Sequence, residues 1–113
     1  MKEEVFNYQY RPGYGSGSML IEFTGMFNVE ALRETLFPIL KGIESKPANI
    51  IETGEQRIIP FHGKYGKFDY SEDIWGFAFI TAEDNQPVIE RIECILSDNC
   101  RFNPTPADLT KHS

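Results

Sequence analysis

Little in this chain is built for chemistry. Its 113 residues hold only two cysteines, two histidines and one tryptophan. None of the Cys and His residues shows the short paired spacing that holds zinc; four ligands would need Cys94, Cys100, His62 and His112 together, so neither a metal nor a cofactor is expected. No segment approaches the roughly eighteen consecutive apolar residues of a spanning helix, which argues against a helical membrane protein. The first eight residues, MKEEVFNY, lack the apolar run of a secretory signal. The expected compartment is therefore the cytoplasm, with both thiols reduced. There is no Gly-Lys-Ser/Thr sequence, and the run GYGSGS (13–18) is followed by a strand pattern instead of a helix, so it reads as a hairpin loop and not as a phosphate cradle.

Bases are scarce where they would matter most. From Asp69 to Asp98 the chain has eight carboxylates (Asp69, Glu72, Asp73, Glu83, Asp84, Glu90, Glu93 and Asp98) against one base, Arg91, whereas the rest is close to neutral and the whole sums to −6. Six of the fifteen aromatic residues (Tyr65, Phe68, Tyr70, Trp75, Phe77, Phe79) fall in or beside this stretch. Such a field attracts a basic partner and repels phosphates. Lys64 and Lys67 are too few to offset it, so direct binding to nucleic acid is not expected.

A length of 113 residues allows one domain with a workable core. We place that domain at residues 1–101, with an extended or flexible tail over the proline-punctuated 102–113. Alternation predicts strands over 5–10 and 19–24, joined by the RPGYGSGS loop (11–18). Asn28 as N-cap, Glu30 in the first turn and apolar residues at 29, 32, 36, 39/40 and 43 predict a helix over about 28–44. Pro38 should kink or divide it, and Gly42 or the Ser45–Pro47 run should end it. Residues 50–53 and 56–61 read as a hairpin, 62–66 as a loop, 67–70 as a short strand, 71–73 as a turn and 74–82 as a long strand. On that strand Trp75, Phe77 and Phe79 share one face while Gly76, Ala78 and Ile80 line the other. Pro87 near the first position opens a second helix over about 86–98, closed by Asn99 in the left-handed conformation. The order predicts an α+β fold: an antiparallel sheet of about five or six strands with two α-helices packed on one face.

The candidate site residues are Asp69, Tyr70, Glu72, Asp73, Trp75, Glu83, Asp84 and Glu90, all read as partner-binding. Turn carboxylates are ordinarily solvated, and acid–base catalysis would need one of them desolvated. Cys94 sits among Glu90, Glu93 and Asp98, charges that oppose a reactive thiolate. A non-enzymatic role is therefore expected. Two helices cover one sheet face, which should leave aromatics on the other partly exposed, as interaction surfaces are. With a nine-residue strand between them, the clusters at 69–73 and 83–84 would lie about 25–30 Å apart, flanking Trp75.

In size, acidity and overall build the chain resembles the cognate immunity proteins of bacterial toxins. That resemblance implies a small cytoplasmic inhibitor that occupies the basic active-site or substrate-binding surface of a nuclease-type toxin, with no cofactor and no membrane. Other readings of the same features are a nucleic-acid mimic that blocks a nucleic-acid-binding protein, and a small enzyme using a carboxylate or Cys94. The sequence leaves monomer and homodimer both open.

Overall fold

Why the last strand joins the sheet as it does follows from the path of the second helix. The computed structural model describes residues 5–13, 18–25 and 27–105. In chain order these form β1 (Phe6–Pro12), β2 (Met19–Thr24), α1 (Val29–Gly42), β3 (Ser45–Pro47), β4 (Ile51–Glu52), β5 (Gln56–Gly63), β6 (Gly66–Asp73), β7 (Ala78–Thr81), α2 (Gln86–Ser97) and β8 (Phe102–Thr105). The strand order is β3-β5-β6-β7-β2-β1-β8, with β4 also paired to β5. All neighbours are antiparallel except β1 and β8. Two antiparallel steps separate β7 from β1, so β7 and β8 run the same way and α2 is a crossover between parallel strands.

The architecture is therefore α+β, but the sheet is mixed and has eight strands among the described residues. The tail expected from 102 onward is ordered over 102–105, because Phe102 is buried against the rings of Phe6 (5.6 Å) and Phe23 (6.1 Å). The remainder of the tail, 106–113, and loop residues 14–17 lie outside the described residues.

Both helices cover the same face. Leu32, Leu36 and Leu40 of α1 and Val88, Ile89, Ile92 and Leu96 of α2 bury their apolar stripes on Phe6, Tyr8, Phe23, Phe61, Phe68, Tyr70, Ala78 and Ile80. Phe37 of α1 meets Phe61 and Tyr70 edge-on at 5.2 Å, and Phe61 stacks on Phe68 at the same distance. Asn28 caps α1 as its sequence predicts, accepting from the amides of Glu30 (2.8 Å) and Ala31 (3.0 Å). Pro38 does not divide the helix; it and Glu34, whose carbonyl loses its helical donor, are both exposed. The chain leaves α1 through Glu44, held at φ 60° beyond the Ile43 cap, and Ser45–Pro47 pairs with β5.

At the start of α2, Asn85 makes no capping bond to the helix; its Nδ2 donates to the carbonyls of Tyr65 (2.8 Å) and Lys67 (3.1 Å) and pins the β5–β6 hairpin. Asn99 is not left-handed either: the helix ends on Asp98, and the Asn99 side chain accepts from the Arg101 amide at 2.8 Å.

Candidate functional site

The acidic stretch is divided by the fold. The turn expected at 71–73 is part of β6, which runs on to Asp73, and the strand expected at 74–82 begins only at Ala78. Between them is a tight turn. Asp73 N–H donates to the Phe77 carbonyl (3.0 Å), Gly76 N–H donates to the Asp73 carbonyl (3.3 Å), and Gly76 has φ +87°. That is the three-residue hairpin loop in which glycine takes the left-handed position. The Asp73 carboxylate locks it, accepting from the amides of Trp75 (3.0 Å) and Phe77 (2.9 Å). The sequence signal is Gly76 three residues after Asp73, overlooked because the aromatic run continues past it.

The shorter β7 changes the spacing. Asp69 pairs across from Thr81, which brings it beside Glu83 and Asp84 in a cleft of about 510 Å³ that Lys67 and Asn85 also line. Asp73 stands at the opposite end of the same strands, four residues or about 13 Å away. The two clusters therefore do not sit 25–30 Å apart, and Asp69 belongs with the second. Glu90 lies on the exposed side of α2, in the helical layer.

Tyr70 and Glu72 are not surface residues. Glu72 faces the helical layer and is only 7% exposed. Its Oε2 accepts from the Tyr70 hydroxyl at 2.6 Å and from Arg33 Nε at 2.8 Å, and Arg57 Nη1 stands 3.9 Å from its Oε1. Arg57 Nε also donates to Glu52 at 2.8 Å. Burial, then the hydrogen bond to Glu72 and its charge, push the Tyr70 phenol well above its ordinary range, outweighing Arg33 and Arg57. The hydroxyl therefore remains a donor. This network forms one wall of a cleft of about 350 Å³ between the N-terminal end of α1 and the β4–β5 hairpin. Held by two donors, with the Arg57 charge nearby, Glu72 joins α1 to the sheet.

The exposed feature lies just outside that cleft. Among the described residues six large apolar side chains are exposed: Val5, Ile50, Ile51, Ile74, Trp75 and Phe77. All but Val5 lie on two segments, 50–55 (β4 and its turn into β5) and the loop 74–77, which a backbone bond from Ile74 N–H to the Glu55 carbonyl (3.1 Å) holds together. Trp75, at 66% exposed, is at the tip. Glu52, Glu55 and Asp73 line the adjoining cleft together with Ile74, Arg33 and Arg57. Trp75 and Asp73 were legible as site residues; Ile50, Ile51, Ile74 and Glu55 were not, since only the register that sets Gln56 opposite Asp73 brings the two loops together.

Cys94 and Cys100 are both exposed free thiols. No group of three or more Cys, His, Asp or Glu among the described residues is arranged to hold a metal ion. No described helix is long and apolar enough to cross a membrane. Comparison with protein-family models, with curated proteins and with solved structures finds no match to this chain.

Proposed function

We propose that this protein is an acidic binding module whose two-loop tip docks on a basic surface of another protein, and that it acts as an immunity-type inhibitor of a nuclease-like toxin. The observation that carries the reading is the gathering of the exposed Ile50, Ile51, Ile74, Trp75 and Phe77 on two joined segments beside the cleft that Glu52, Glu55 and Asp73 line. Exposed apolar clusters with polar rims are what protein interfaces use, and a central aromatic is the usual anchor. The surrounding negative field supplies steering toward a cationic partner. Asp73 contributes as the lock of the loop as well as through its charge. Asp69, Glu83 and Asp84 extend the field along the sheet, while Tyr70 and Glu72 serve the site from behind.

The test is capture on the immobilised chain, followed by assay of the captured protein. A basic nuclease domain retained by the wild type, inhibited by it in solution, and released by Trp75→Ala supports the reading. A nucleic-acid-binding protein without nuclease activity in its place would favour a nucleic-acid mimic. Retention unaffected by Trp75→Ala would refute the tip as the docking surface.

A further inference from the structure

The sheet edge beside the Trp75 tip is uncovered, and its backbone is open. All eleven residues from Lys46 to Gln56 are exposed, and β3 and β4 both pair with the same side of β5, with no strand beyond them among the described residues. The Thr53 N–H donates to the Gln56 carbonyl at 2.9 Å, and the Ala48 N–H to the Pro60 carbonyl at 2.7 Å. Ile51 is opposite Ile58 and Glu52 is opposite Arg57. Bonded and unbonded pairs alternate along an antiparallel ladder. Ile51 therefore turns its N–H and C=O toward β5, while its neighbours Ile50 and Glu52 turn theirs outward, each offering one donor and one acceptor. Pro47, outward by the same alternation, has no N–H, and β8 at the other edge carries Pro104. Prolines of this kind blunt a sheet edge. The stretch 50–52 has none and carries instead Ile50 and Ile51, each 53% exposed.

We infer that an extended basic segment of the partner adds to this edge as a further strand, its main chain bonded to Ile50 and Glu52. This rests on the reading of the tip as a docking surface and names how the docking is made. The outward groups of residues 50 and 52 recur about 7 Å apart, the two-residue repeat of an extended chain. Two such residues align the incoming strand, and the neighbouring Ile74 and Trp75 hold it. Charge selects which chain it is. The adjoining cleft has four carboxylates (Glu52, Glu55, Glu72 and Asp73) against Arg33 and Arg57. Neither Glu55 nor Asp73 makes an ion pair among the described residues. The next base along this edge, Lys46, lies beyond Pro47. A second copy pairing here would bring a second acidic cleft to the same end at a cost in free energy, whereas lysine or arginine on the incoming strand is favoured.

Amide hydrogen exchange on the full chain tests it, with an octapeptide of alternating lysine and valine as the basic strand and its glutamate counterpart as the control. At saturation the lysine peptide should slow exchange of the Ile50 and Glu52 amides by about tenfold or more and leave Ile51 unchanged, because that amide already faces β5. Ile50→Pro removes the outward N–H, whereas Ile50→Ala keeps it. The proline variant should bind the peptide about tenfold more weakly than the alanine variant, with circular dichroism reporting that both are folded. Absence of protection at Ile50 and Glu52, equal protection by the glutamate peptide, or proline and alanine variants that bind alike overturns the inference. So does protection that arises in the chain alone and grows with its own concentration, which would assign the edge to a second copy. Each of these results leaves capture of a basic nuclease and its release by Trp75→Ala standing, so strand addition and the tip reading fail separately.

Discussion

Removing the Glu72 carboxylate should unfasten α1 from the sheet, and the cost can be worked from its partners. Glu72→Ala leaves the buried Tyr70 hydroxyl without its 2.6 Å acceptor, a loss of about 1–3 kcal/mol. Arg33 also loses its 2.8 Å acceptor, but its side chain is 28% exposed and can rehydrate, so its share is about 1 kcal/mol. The sum is about 3 kcal/mol, within the range for breaking a buried ion pair. Tyr70→Phe alone removes one hydrogen bond to a charged group and should cost about 1.5 kcal/mol. In the Glu72→Ala background the same change removes an orphaned hydroxyl and should cost nothing. The two substitutions should therefore be less than additive by about 1.5 kcal/mol. Urea unfolding followed by circular dichroism reads this directly: with a slope of about 1.5 kcal/mol per molar, the Glu72→Ala midpoint falls by about 2 M. A Glu72→Ala loss below about 1 kcal/mol, or strict additivity with Tyr70→Phe, would refute the network as a buried fastener.

Three further outcomes follow from the backbone and the buried polar groups. Glu44 stands at φ 60°, where a residue with a Cβ costs about 1–2 kcal/mol; Glu44→Gly should raise the thermal midpoint by a net gain of about 0.5–1 kcal/mol after glycine's entropy is counted, and a lower midpoint would contradict this. The buried Ser45 hydroxyl has no hydrogen-bond partner among the described residues, so Ser45→Ala should leave stability unchanged or raise it by up to about 1 kcal/mol in the same melt. Burial, followed by hydrogen bonds to Glu93 and Glu72 respectively, raises both Tyr8 and Tyr70 above their ordinary value of 10.0. Above that pH the unfolded chain releases these protons while the folded chain keeps them. Stability is thus full below pH 10 and falls beyond it by up to about 1.4 kcal/mol per pH unit for each tyrosine; Tyr8→Phe should remove one share of the slope, and a flat alkaline profile would refute the assignment.

How much of this was legible in the sequence varied with the range of the interactions. Strand β2, the Asn28 cap and the span of α2 were readable because alternation, capping and proline at a helix start are local signals. The parallel β8 was hidden, since its only sequence mark is a lone Phe102 that acquires meaning through Phe6 and Phe23, far away in the chain. The aromatic run from Trp75 to Phe79 looked like one strand, and Gly76 breaks it because only that residue takes φ +87° without strain. The same misreading spread the carboxylates along one long strand, whereas β6 and β7 fold Asp69 next to Glu83 and Asp84. Glu72 reads as a surface charge until Arg33, thirty-nine residues earlier, is seen to meet it.

The central claim, that the Trp75 tip anchors a basic partner which the acidic field attracts, is tested most directly by the kinetics of that complex as salt rises. Glu55→Lys is the charge probe, because Glu55 is exposed whereas Asp73 holds the loop and Glu52 holds Arg57. Raising salt and Glu55→Lys should each slow association, tenfold or more across a wide salt range, and leave dissociation nearly unchanged. Trp75→Ala should instead speed dissociation by about 30-fold, the equivalent of about 2 kcal/mol, with association nearly unchanged. An association rate indifferent to salt, together with a dissociation rate indifferent to Trp75→Ala, would contradict the account.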